Sequence, residues 1–137
     1  MRELFRSEHF LINVDDERGL LRRVRTAQPF ASLAEIDRAY VDLLRAMEAV
    51  ERRRYVALID VRLAPPRNDP AFEQIVGLYR VRLFNGFRRA AILAKTEAGR
   101  LQIGRLYQNL PFEVRTFLDE AAALAYLLDP AQSDRRL

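Results

Sequence analysis

Two short loops concentrate the residue types that can hold an anion. The first follows the apolar run YVALID (55–60) and carries Asp60, Arg62, Arg67, Asn68 and Asp69. The second follows RAAILAK (89–95) and carries Lys95 and Thr96. Guanidinium groups bind carboxylate or phosphate through paired N–H bonds, and a helix opening after such a loop offers free N–H groups to the same ligand. A structural reading stands beside this one. Asp60 can pair with Arg62 or Arg67, and Asp69 can cap the helix that starts at Pro70–Ala71, taking the N–H groups an anion would need. No Ser, Thr, Cys or His occurs from Asp60 to Lys95, so the region has neither a nucleophile nor a hydroxyl to phosphorylate.

Other chemistry is thinly represented. The chain lacks cysteine, which excludes disulfides and thiolate metal sites. His9 is the single histidine and lies at the start of a strand pattern; a surface or strand-edge position is expected for it. The acidic pairs Asp15–Asp16 and Asp119–Glu120 suit a turn and a helix cap. None of the phosphate-loop, dinucleotide, nucleophile-elbow or zinc-helix motifs occurs. No enzymatic activity, metal or cofactor is therefore expected. The net charge is +4 and nearly all cations are arginine, Lys95 being the only lysine. These arginines are spread through every element among acids, which argues against a nucleic-acid face.

The elements that position the loops follow from periodicity. His9–Asp15 and Leu20–Thr26 alternate as strands around a turn at Asp16–Gly19, an antiparallel hairpin. In the second strand Arg23 and Arg25 fall on one side of the pleat, with Leu20, Arg22 and Val24 on the other. Ser32 and Glu35 form a capping box for a helix with Leu33, Ile36, Tyr40, Leu43, Leu44 and Met47 on one stripe. Arg52–Arg54 follow at its C-terminal end, where cations suit the helix dipole. Tyr55–Asp60 is apolar enough for a central strand buried on both faces. Asp69–Pro70 opens a second helix with Phe72, Ile75, Val76, Tyr79 and Leu83 inward. Leu78, Val81 and Phe84 widen its apolar surface and form a candidate interaction face. Arg89–Lys95 is a further buried strand, Thr96 caps a third helix, Val114–Leu118 is the last strand, and Asp119 caps a fourth helix to Leu128. Phe84, Phe87, Leu110 and Phe112 lie at helix ends or in loops, either as core-edge packing or as an exposed partner cluster.

The order is ββαβαβαβα: one α/β domain over residues 1–128, with a mixed five-stranded sheet and about four helices, then a polar tail at 129–137. This order resembles the STAS domain, the fold of bacterial anti-sigma-factor antagonists. The likeness is carried by YVALID, by RNDPAFEQIVGLY and by VRTFLDEAAALAYLL. Signalling members of that family place a phosphorylatable Ser or Thr at the start of the helix after the central strand. Here Asn68-Asp69-Pro70-Ala71 stands at the matching place, so the phosphorylation switch does not carry over.

The resemblance implies a non-catalytic protein-interaction or regulatory module without a phosphoacceptor, with a protein partner and a possible homodimer. The alternative is a binder of a small anionic ligand (a nucleotide, metabolite or lipid head group) at the loop after the central strand. No apolar run reaches the about 20 residues a membrane span needs, and no signal-peptide pattern opens the sequence, so a cytoplasmic location is expected.

Overall fold

The computed structural model describes residues 1–130. The expected polar tail lies, from residue 131 on, outside the described residues. The elements are β1 (Arg2–Arg6), β2 (Phe10–Asp15), β3 (Leu20–Arg25), α1 (Leu33–Glu48), a 3-10 turn at Arg52–Arg54, β4 (Val56–Asp60), α2 (Pro70–Phe84), β5 (Ala90–Leu93), α3 (Glu97–Tyr107), β6 (Arg115–Phe117) and α4 (Glu120–Leu128). They form one six-stranded sheet in the order β1-β2-β3-β4-β5-β6. The β1–β2 and β2–β3 pairs are antiparallel, and the three pairs from β3 to β6 are parallel.

The expected five strands are therefore six. β1 escapes the sequence pattern because it is an edge strand with only Phe5 partly buried, and its register shifts between Glu3 and Phe5. Charged, irregular edges of this kind protect a sheet from pairing with another chain, at the cost of the alternation by which strands are recognised.

Alternation divides the rest of the sheet into two cores. Phe10, Ile12, Val14, Leu21, Ala57, Ile59, Ala90 and Ile92 face α1 and α2, with Ile103 and Tyr107 of α3 packed against them. Leu20, Val56, Leu58, Ala91 and Leu93 face Ala123 and Leu127 of α4. Every residue of β4 is buried, as its unbroken apolar run requires.

All four helices have the side-chain N-caps read from sequence: Ser32, Asp69, Thr96 and Asp119 accept from the N–H groups of Glu35, Phe72, Gly99 and Ala122. Each such cap contributes about 1 kcal/mol. Glu35 completes its box one residue early, accepting from Ala31 N–H at 3.3 Å. Arg52 Nη1 donates to the carbonyls of Arg82 (2.5 Å) and Asn85 (2.7 Å), and its Nε to that of Met47 (3.3 Å). One guanidinium thus satisfies the C-terminal ends of both α1 and α2. Gly19 has φ +64°, and a Cβ there would lie 2.8 Å from the Arg54 carbonyl oxygen. Only glycine lets the hairpin turn come this close to the chain entering β4.

Phe84, Phe87 and Phe112 are buried, which settles their position as core-edge packing. Leu33, placed on the inner stripe of α1 by periodicity, is 46% exposed. It occupies the first helical position, before the stripe has turned under the sheet.

Candidate functional site

A cavity of about 580 Å³ opens between the sheet and α1, α2 and α3, at the carboxyl ends of the parallel strands. This is where ligands of open α/β sheets gather. On its floor Arg23, Ile59 and Ile92 lie side by side, since Arg23 pairs with Ile59 and Ile59 with Ile92 across neighbouring strands. Tyr40 comes from α1, Phe72, Glu73, Val76 and Arg80 from α2, and Ile103 and Tyr107 from α3. The exposed Arg67, Asn68, Lys95 and Thr96 line its outer part.

Two arginines inside this cavity lack acidic partners. Arg23 is 6% exposed, and its Nη1 has no hydrogen-bond partner among the described residues. Its guanidinium rests 5.2 Å from the Phe84 ring centre. Burial pulls its pKa down, although an arginine so placed still carries its charge at neutral pH. Arg25 is 8% exposed, gives Nη1 to the Thr26 carbonyl at 2.6 Å, and lies 4.4 Å from the Phe30 ring centre. No carboxylate among the described residues pairs with either. Burial also pushes the Tyr40 hydroxyl up to about 12, against the opposing pull of Arg23, so this tyrosine stays a neutral donor and acceptor. Arg80 differs, because Glu73 accepts from it at 3.1 Å while its Nε is unpartnered.

The residues expected to form one site are split by the sheet. Arg62, Arg67, Asn68, Lys95 and Thr96 line the cavity; Asp60 and Asp69 do not. Asp60 alternates with Ile59 and so turns to the α4 face. There it accepts from Arg62 Nε (3.0 Å), Arg62 Nη2 (2.8 Å) and Arg22 Nη2 (3.0 Å), and Glu120 accepts from Arg22 (2.9 Å) and Arg62 (3.0 Å). Burial pushes the Asp60 carboxyl up, but the hydrogen bonds and charge of Arg62, with Arg22, outweigh it and hold the group below its ordinary range. The hydrogen bond from Arg22 lowers Glu120 likewise. Asp69 accepts from Arg67 Nε at 2.7 Å and caps α2 at Phe72 N–H. Thr96 is occupied in the same way by Gly99 N–H at 3.0 Å.

Two further expectations are corrected. Phe84 is 1% exposed and belongs to the core, whereas Leu78 (70%) and Val81 (42%) do face solvent. His9 is buried at 4% exposure instead of lying at the surface. It stacks on Phe30 at 4.4 Å, with Nε2 3.0 Å from Glu35 Oε1, close enough for an ion pair but off hydrogen-bond geometry. Glu8, His9 and Glu35 form a group whose ligand atoms lie within 4.8 Å of one another, the one such group found among the described residues. Glu8 in it is exposed.

Sequence reasoning placed Arg23 and Arg25 on one side of the pleat without making them site residues. That this side is the covered one follows from the strand order, in which β3 lies between β2 and β4 with its Arg23 and Arg25 under α1 and α2.

No family model matches the chain, and no curated protein matches it. Among solved structures it is similar to an uncharacterised protein of the DUF3478 family with a SpoIIAA-like fold from Shewanella loihica PV-4. The TM-score is 0.63 and the identity 17%, over 90% of this chain and 98% of that one. The chain therefore has the SpoIIAA-like, STAS-like fold.

Proposed function

We propose that this STAS-like domain is a non-catalytic regulatory module whose cavity takes a small anionic ligand. The observation that carries this reading is the buried Arg23 guanidinium with its unpartnered Nη1 at the cavity floor. A buried charge left without partners costs several kcal/mol, and an anion delivered to it recovers part of that through charge-assisted hydrogen bonds. Among the described residues the cavity lining holds no histidine, cysteine or serine, and Thr96 Oγ1 accepts from Gly99 N–H, which supports binding over turnover. Native mass spectrometry of gently purified protein tests the reading. Wild type should carry a defined small adduct that Arg23→Met loses; bare wild-type protein, with no anion from a broad panel raising its melting temperature, would sink it.

A second reading is a protein contact on α2. Leu78 and Val81 are exposed on the helix whose inner side, through Phe72 and Val76, lines the cavity. Such a surface would let ligand occupancy reach a partner or a second copy of this chain. Light scattering tests the homodimer: a dimer that Leu78→Glu with Val81→Glu converts to monomer supports it, and a monomer at high concentration refutes it. Among the described residues no helix is long and apolar enough to cross a membrane.

A further inference from the structure

Resting on the cavity reading above, we infer that the ligand is an amphipathic monocarboxylate. Its carboxylate sits on Arg23, with Arg25 beside it, and its apolar body lies along the inner walls.

The charge pattern sets the head group. Arg62, Arg67 and Arg80 also line the cavity, but each already has a carboxylate: Asp60 and Glu120, Asp69, and Glu73 respectively. Lys95 lines only the exposed outer part; inside, that leaves Arg23, whose Nη1 has no acceptor, and Arg25, whose Nη1 is already given to the Thr26 carbonyl. One planar carboxylate matches one guanidinium fork. A phosphate asks for more donors, and its usual seat is a helix N-terminus. The N-termini of α2 and α3 both lie at this end of the sheet, and the side chains of Asp69 and Thr96 each take one of their N–H groups. Each terminus is thus already partly satisfied, and Asp69 adds a negative charge at that of α2, which disfavours a phosphate there.

The walls set the body. Phe10, Ile59, Val76, Ile92, Ile103 and Leu106 supply apolar inner surface, and of the neutral amides and hydroxyls Asn68 and Thr96 lie in the exposed outer part. A sugar or a nucleobase would bury its polar edges against these side chains without partners. The volume of about 580 Å³ falls among small-molecule sites.

The test uses two apolar bodies, a decyl chain and a naphthalene ring, each bearing a carboxylate, a hydroxyl or a phosphate monoester. All are titrated calorimetrically into the full chain and into Arg23→Met, whose folding is checked by circular dichroism. On at least one body the carboxylate should bind, with the alcohol at least about tenfold weaker and the phosphate ester no tighter. Arg23→Met should weaken carboxylate binding by about ten- to hundredfold and leave the alcohol unchanged. If that variant does not fold, the ranking on wild type still decides. A phosphate ester binding about tenfold tighter than its carboxylate would overturn the head-group assignment while leaving the cavity reading intact. Equal binding of alcohol and carboxylate would overturn the role of Arg23. If no compound binds but wild type carries a native adduct of another class, this inference fails alone. If there is neither binding nor adduct, both fail.

Discussion

Arg22 and Arg23 are neighbours in one strand and are treated in opposite ways. Arg22 points to the α4 face, where Asp60 and Glu120 both accept from it within 3.0 Å. Arg23 points to the α1–α2 face, is more deeply buried, and meets no carboxylate among the described residues. On the first face the arginines close a network joining β3, β4, the loop after β4 and α4. On the second, a charge is kept where an apolar side chain would fit between Ile12 and Ile59, its neighbours in the sheet. Burial that folding alone does not explain points to binding.

Removing the compensating acid should produce the largest effect. Asp60→Ala leaves Arg22 and Arg62 sharing Glu120, with a partly buried guanidinium short of a partner. A loss of about 3 kcal/mol is expected in urea unfolding. The same network should make the protein acid-sensitive. The carboxyls of Asp60 and Glu120 are lowered from their ordinary values of 3.8 and 4.5. Their stabilisation is present above those values and is lost as pH falls through the lower folded-state values. Melting temperature should drop across that acid window, and Asp60→Asn should flatten the drop. Asp69→Ala removes a cap and a surface ion pair, so about 1 kcal/mol should be lost while ligand affinity stays within about twofold. Leu78→Glu, on the open side of α2, should change stability by no more than about 0.5 kcal/mol.

Much of the fold was legible because local chemistry and global topology agree. The four N-caps, the hairpin, the buried strand YVALID and the parallel order from β3 onward all stand in the sequence. β1 was not legible, since RELFR keeps its charges in water and presents only Phe5 inward. The site was half legible. The loops at the strand ends do line the cavity, but chain proximity grouped Asp60 with residues that the pleat sends to the other face. The deeper half depends on residues far apart in sequence, Arg23, Tyr40 and Arg80, which converge only when α1 and α2 close over the sheet. In Leu78, Val81 and Phe84 an apolar count could not say which side of α2 faces the core; Phe84 turned inward and the other two outward.

The most direct test is urea unfolding of Arg22→Met and Arg23→Met side by side, without ligand. Arg22→Met should be less stable than wild type by about 1–3 kcal/mol, because Asp60 and Glu120 lose a charged partner. Arg23→Met should be as stable as wild type or more stable, by up to about 2 kcal/mol, because an uncompensated buried charge gives way to an apolar side chain of similar length. A comparable loss in both variants would mean that Arg23 serves the fold as Arg22 does, and would contradict its assignment to a ligand.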